Sequence, residues 1–168
     1  NGGLIFEGEY INGKRNGKGI EYYNGENSRF EEDFLSNFLY GGNKNKKSKE
    51  GQIIFEGEYL NGERNGKGKE YYDGKLLYEG EYLNGRRDGK GIEYYKNGAL
   101  KYEGEYLNGE KNGKGKEYYK DGKLKFEGEY KKGKKWNGKG YDKKGNIEFE
   151  IKDGKGNIKE YNEKDILI

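Results

Sequence analysis

The 168-residue chain contains no cysteine, histidine, methionine, proline or valine. Without Cys and His there are no disulfides, no thiolate or imidazole metal ligands, no Cys/His or Ser/His/Asp machinery and no side chain that ordinarily titrates near neutrality. The redox compartment is left undetermined by the same absence. Leu, Ile and Phe number 11, 11 and 7, a strong apolar fraction of about 17%, where chains usually fail to bury a core. No apolar run approaches the roughly 18 to 20 residues of a membrane span, and no charged-then-apolar leader stands at the start. The missing Met points to a chain trimmed at its beginning, which leaves a removed targeting signal open. The expected location is cytoplasmic, with association at a membrane surface as the alternative.

What is present argues against disorder. The chain has 18 Tyr, 7 Phe and 1 Trp, and its 34 basic and 31 acidic residues leave a net charge of +3. Disordered chains of low hydrophobicity usually lack such aromatics and carry a larger charge. The same balance removes the basic excess expected of a nucleic-acid binder.

An aromatic-Glu-Gly-Glu-Tyr block recurs at Phe6, Phe55, Tyr78, Tyr102 and Phe126, with spacings of 49, 23, 24 and 24 residues. The first interval is two periods, and Phe30-Glu31-Glu32-Asp33-Phe34 lies within it as a degenerate unit. A shortened copy begins at Ile147 and rejoins the pattern at Asp153-Gly154-Lys155-Gly156. About seven units follow one another in one array covering residues 1–168, starting near 6, 30, 55, 78, 102, 126 and 147.

Within a unit the block is followed by Asn-Gly, then Asn/Asp-Gly-Lys-Gly, then Glu-Tyr-Tyr, then a second Asn/Asp-Gly. Asn-Gly and Asp-Gly tolerate the positive φ of primed hairpin turns. Between them the chain alternates with period two, which is the strand period. Simple alternation puts Leu76, Tyr78, Gly80 and Tyr82 on one face and Leu77, Glu79, Glu81 and Leu83 on the other. Pairing across Asp73-Gly74 sets Tyr72 against Lys75 and Tyr71 against Leu76, so Tyr71 is expected on the aromatic side. Lys96-Asn97-Gly98 and Lys120-Asp121-Gly122 fit three-residue loops ending in a left-handed Gly. The fold expected is all-β: an elongated, single-layer antiparallel meander in which rings pack over backbone at Gly57, Gly80, Gly104 and Gly128.

Tyr78-Glu79-Gly80-Glu81-Tyr82-Leu83-Asn84-Gly85 followed by Asp88-Gly89-Lys90-Gly91 resembles the MORN repeat, the membrane occupation and recognition nexus motif. The chain departs from the usual Tyr-x-Gly-x-Trp signature by carrying Tyr in place of Trp and by running Glu-Tyr-Tyr after the Gly pair. Those departures, with Asn97-Gly98-Ala99-Leu100, resemble the bacterial MORN variant repeat of antitoxin-like proteins. The resemblance implies a twisted single-layer sheet acting as a scaffold or recognition surface, with no catalytic residue, often dimeric and sometimes positioned at membranes.

The candidate sites are few. The Gly-Lys-Gly elements, such as Gly89-Lys90-Gly91, suit an anion by residue type but lack the following helix of a phosphate loop, so they are read as packing. The Glu-x-Glu pairs, Glu56 with Glu58 and Glu103 with Glu105, are read as ion-pair rows with Lys101 and Lys125 on the same face rather than as calcium ligands or glycosidase carboxylates. No cofactor or metal is expected. The second tyrosine of each pair, Tyr23, Tyr72, Tyr95 and Tyr119, is expected to point toward the glutamates as an exposed row for a protein partner, or else to pack on Lys and Glu stems. Leu35, Phe38, Leu39 and Tyr40 precede a lysine cluster, Lys44, Lys46, Lys47 and Lys49, that would serve anionic lipid headgroups if a membrane were the partner. Trp136 is read as a local plug beside a one-residue insertion, and Ile166-Leu167-Ile168 as a cap. The function expected is a non-enzymatic scaffold that binds a protein partner along one sheet face, with a lipid-binding adaptor or an antitoxin-like binder as alternatives and a homodimer allowed.

Overall fold

The computed structural model describes residues 5–23 and 51–157. Among them eleven strands form one antiparallel sheet in which every strand pairs with its chain neighbours: β1 (Phe6–Ile11), β2 (Lys14–Tyr22), β3 (Ile53–Leu60), β4 (Glu63–Tyr72), β5 (Lys75–Leu83), β6 (Arg86–Tyr94), β7 (Leu100–Leu107), β8 (Glu110–Tyr118), β9 (Leu124–Lys131), β10 (Lys134–Tyr141) and β11 (Ile147–Ile151). This is the open all-β meander that the period-two pattern predicts. The two-residue turns have positive φ at both positions, as at Asn84 (48°) and Gly85 (78°), and Lys132-Gly133 adopts the same shape. In the longer loops Gly98 and Gly122 are the left-handed residues, both at φ 84°. β2 pairs directly with β3, Gly19 opposite Gly57, in the register by which β4 meets β5. The degenerate unit at Phe30–Phe34 and the Ile166–Ile168 cap lie outside the described residues.

A sheet one layer thick has no second layer to bury its rings, and this one closes them in from the two sides of a single face. Below each ring is glycine: a Cβ on Gly57 would stand 2.7 Å from the Gly68 Cα and 2.8 Å from the tip of Phe55. At the edges are other rings, perpendicular to it. Phe55 meets Tyr59 at 5.6 Å and Tyr82 of the next unit at 5.2 Å, and Tyr78 meets Tyr82 and Tyr106 in the same way, the edge-to-face geometry that ring quadrupoles favour. Above is a cation. Arg15 lies over Phe6 at 4.2 Å, Arg64 over Phe55 at 4.0 Å, Arg87 over Tyr78 at 3.8 Å and Lys111 over Tyr102 at 4.0 Å. Phe55, Tyr78, Tyr102 and Phe126 are thereby sealed from solvent.

Carboxylates stitch the cations together. Arg87 reaches Glu70 of the preceding unit at 2.6 Å and Glu93 of its own at 3.3 Å, and Lys111 continues from Glu93 (3.6 Å) to Glu117 (3.5 Å). Tyr82 and Tyr106 donate their hydroxyls to Glu70 and Glu93 at 2.6 and 2.8 Å. Burial raises the Glu117 carboxyl, but Lys111 and Lys135 outweigh it and bring the group down to about 2. Glu93 is likewise lowered, with Lys111 and Arg87 overcoming its burial. The core is therefore a row of rings between glycine backbone and a lid of ion pairs, which explains how so few aliphatic residues suffice.

The units are also fastened at their turns. The amide of Gly62 donates to the Arg15 carbonyl, Gly85 to Arg64, Gly109 to Arg87 and Gly133 to Lys111, each at 2.8 to 2.9 Å. The Asp88 carboxylate takes the Asn108 amide at 3.0 Å. Asn16, Asn112 and Asn137 take the amides of Asn61, Lys132 and Asp153 in the same way and cap the next unit's turn.

Candidate functional site

Simple alternation is overturned at one point per unit. Tyr71 does oppose Leu76 and Tyr72 opposes Lys75, but Glu70 opposes Tyr78, so Leu77 is an extra residue in β5. The bulge exchanges the faces on either side of it. Leu77, expected among the glutamates, is buried. Lys101 and Lys125 occupy the same extra position and are not on the Glu-x-Glu face: they approach Tyr95 and Tyr119 at 5.8 and 5.5 Å and help to lower Glu93 and Glu117. Glu70, Glu93 and Glu117 consequently face the rings.

The tyrosine pairs are exchanged as well. The first of each pair, not the second, stands among the glutamates. Tyr71 donates to Glu56 at 3.2 Å, Tyr94 to Glu79 at 2.5 Å, Tyr118 to Glu103 at 2.6 Å and Tyr141 to Glu127 at 2.7 Å. Desolvation and the carboxylate bond push Tyr94 and Tyr118 up to about 12. The second tyrosines are not an exposed row. Tyr23 and Tyr119 are 6% and 5% exposed, and Tyr72 and Tyr95 are half-buried. Tyr95 and Tyr119 donate to the Tyr118 and Tyr141 carbonyls of the following unit at 2.7 and 2.8 Å. These side chains brace unit to unit.

The other face of the sheet is the open one. Glu79 and Glu81 of β5 oppose Lys69 and Lys67 of β4, Glu103 and Glu105 of β7 oppose Ile92 and Lys90 of β6, and Glu127 and Glu129 of β9 oppose Lys116 and Lys114 of β8. Two rows therefore cross the strands: the one through Lys18, Glu58, Lys67, Glu81, Lys90, Glu105, Lys114 and Glu129 alternates in sign, and the other has isoleucine in place of lysine at 20 and 92. Between them, where each strand has its packing glycine, runs an open groove of about 1130 Å³ that spans β2 to β9. Its floor is bare backbone, because the position a Cβ would occupy belongs to the ring face. Leu60, Leu83 and Leu107, about half exposed, stand at the turn end of the strands that carry the glutamates.

The Gly-Lys-Gly elements hold an anion already, and it is internal. Glu81 accepts the Lys90 amide and Glu105 the Lys114 amide, both at 3.3 Å. The preceding glycines, Gly89 and Gly113, are left-handed (φ 96° and 91°) and have those carboxylates against them. Among the described residues no group of three or more acidic side chains is placed to hold a metal ion. Trp136 sits beside Lys131 at 4.4 Å and accepts the Gly154 amide at its carbonyl. It is itself the extra residue of β10: Lys135 opposes Tyr130 and Asn137 opposes Glu129, with Trp136 between them. Lys44, Lys46, Lys47 and Lys49 lie outside the described residues. No helix of the described residues is long and apolar enough to cross a membrane.

Sequence reasoning missed the lid, though its signal was present. A cation at 15, 64, 87, 111 and 135 and a glutamate at 21, 70, 93 and 117 recur once per unit.

The MORN repeat model matches four segments of the chain, residues 6–27, 55–75, 78–100 and 102–123. Curated proteins compared with the chain give no match. MORN repeats make a repeat scaffold or binding module that is generally non-enzymatic.

Proposed function

The chain belongs to the MORN repeat family, and from that premise we propose that it is a non-enzymatic scaffold which holds a segment of a protein partner in the groove of its Glu/Lys face. The observation that supports this most is the division of labour between faces. The ring face is closed by its own lid, and the opposite face keeps a glycine-floored groove between charged rows. With strands about 4.8 Å apart, like charges recur about every 9.6 Å along the row that contains Glu81 and Lys90. A partner whose acidic and basic side chains repeat at that interval would meet opposite charges along that row, and complementarity of this kind gives selectivity and fast association. With isoleucine at 20 and 92, glutamates outnumber lysines along the groove, so it offers no excess positive charge to an anionic bilayer, which favours protein over lipid on this face.

The test reverses one sign only. Lys67→Glu, Lys90→Glu and Lys114→Glu together leave the ring face untouched. If the triple variant keeps its strand circular dichroism and captures every partner that the unaltered chain captures from the native host, the groove is not the binding surface.

A further inference from the structure

Alongside the groove the open face carries a third row, and it is aromatic. Where the bulge exchanges the faces, the first tyrosine of each pair comes over to the glutamates, and its cross-strand partner comes with it, because opposed residues share a face. Tyr71 opposes Leu76, Tyr94 opposes Leu100 and Tyr118 opposes Leu124. All are half-buried. The pairing recurs at Tyr22 with Ile53 and at Tyr141 with Ile147, so a tyrosine stands on every second strand from β2 to β10 with an aliphatic side chain on the strand that follows.

The rings are held before any partner arrives. Their hydroxyls are tied to Glu56, Glu79, Glu103 and Glu127 of the preceding strand, which leaves little side-chain freedom to lose on binding. A carboxylate accepts more than one hydrogen bond, so each of these glutamates can still take a cation beside its ring. The row they form is acidic. Their counterparts on the neighbouring strands are Ile20, Lys69, Ile92 and Lys116, two lysines against four glutamates.

The interval selects the conformation of what can lie along these rows. Side chains on alternate strands recur about every 9.6 Å, and both the tyrosines and the glutamates do so. A polyproline II chain presents the same face every third residue, about every 9.3 Å. A helix returns to its face after seven residues, about 10.5 Å, and a strand after about 6.7 Å. Over the four intervals from Tyr22 to Tyr141 the polyproline II chain drifts by about 1 Å and the helix by about 4 Å, while the strand loses phase at the first. Backbone chemistry points the same way. Strands β2 to β10 are paired on both sides, which leaves no ladder for an added strand, and a polyproline II chain needs none because its own backbone stays solvated.

We propose, on the basis that this face is the binding surface, that the partner segment is a basic, proline-rich chain in the polyproline II conformation. It lies across the strands with prolines on the tyrosine row and a lysine or arginine at every third position beside the glutamates. The preformed chain and the tethered rings both reduce the ordering that docking requires, as in other aromatic-lined grooves that take proline-rich segments.

The probe is a synthetic peptide of four Pro-Pro-Lys triplets, about 37 Å long against about 34 Å for the groove from β2 to β9, titrated into the isotope-labelled full chain. Saturable shifts are expected at Tyr71, Tyr94 and Tyr118, with nuclear Overhauser contacts from proline ring protons to those three rings. Four Gly-Gly-Lys triplets keep the charge and its sequence spacing without the conformation, and should bind at least tenfold more weakly. A peptide of the first composition with its lysines contiguous should be weakened as much. So should the first peptide on a chain carrying Tyr71→Ser, Tyr94→Ser and Tyr118→Ser; the peptide comparisons stand without that variant if it loses its strand circular dichroism. No shift at millimolar peptide, equal binding of the glycine peptide, or contacts on the ring face would overturn the proposal. Tighter binding of a helical peptide with lysine at every seventh position, seated on the same residues, would overturn it while leaving the face as the binding surface, which the lysine reversal tests by itself.

Discussion

Replacing Arg87 by Met is the sharpest probe of the lid. The guanidinium lies 3.8 Å over the Tyr78 ring, donates to Glu70 at 2.6 Å and to Glu93 at 3.3 Å, and is 8% exposed. Methionine fills much of the volume but leaves Glu70 and Glu93, 7% and 5% exposed, with too few cations. Glu93 keeps Lys111 at 3.6 Å, and Glu70 keeps the attraction of Arg64 from its own unit. Breaking a buried pair from one side typically costs about 3–5 kcal/mol, most of it the isolated carboxylate. With a urea m-value of about 2 kcal/mol/M for a domain of this size, the midpoint should fall by about 2 M. Arg87→Lys should cost about half as much, because Lys111 performs the same task over Tyr102 with longer ion pairs. The triple variant with Glu70→Gln and Glu93→Gln should recover a large part of the loss, since neutral amides are cheaper to bury than unpaired charge. Arrays of repeats lose cooperativity readily, so fluorescence and circular dichroism transitions must coincide for these values to be read. An Arg87→Met midpoint within about 0.3 M of the parent would refute the reasoning.

Four further outcomes follow from the same geometry. Tyr78 has a buried hydroxyl with no hydrogen-bond partner, and three of the four equivalent residues are Phe6, Phe55 and Phe126; Tyr78→Phe should leave stability unchanged or raise it by about 1 kcal/mol in urea melts. Gly91→Ala would push a Cβ to 2.6 Å from two Tyr78 ring carbons and should cost about 3 kcal/mol, against about 1–2 kcal/mol of left-handed strain at Gly85, where nothing lies within 4 Å. Glu21, Glu93 and Glu117 are held below the ordinary carboxylate range. Their contribution is therefore complete above the unfolded value near 4.5 and is lost as pH falls toward the Glu117 value of about 2, so thermal midpoints should hold from neutrality to about pH 5 and then drop, less steeply in Glu117→Gln. Tyr94 and Tyr118 are raised to about 12; phenolate absorbance should show both ionising later than free tyrosine, and the stability they lend should be complete below about pH 10 and decline as pH climbs through 12.

The repeat, the hairpin turns and the glycine floor were legible because each depends on local chemistry: Asn-Gly for positive φ, and a missing Cβ where a ring must lie. Which face a residue takes was legible only up to the bulge. The residue that exchanges the faces is a single extra one at Leu77, Lys101 and Lys125, and no residue type in those three positions announces it. Past that point strict alternation turned the second tyrosines outward and the Glu70 series away from the rings, and the structure reverses both. The lid depends on carboxylates of one unit reaching cations of the next, a contact between strands that no single-strand pattern displays.

A soluble paramagnetic probe read by nuclear magnetic resonance on tyrosine-labelled chain tests most directly whether the two faces differ as described. Signals of Tyr71, Tyr94 and Tyr118 should broaden, and those of Tyr78, Tyr82, Tyr102 and Tyr106 should keep their width. Equal broadening of both groups, or broadening of the second group alone, would contradict a closed aromatic face set against an open charged one.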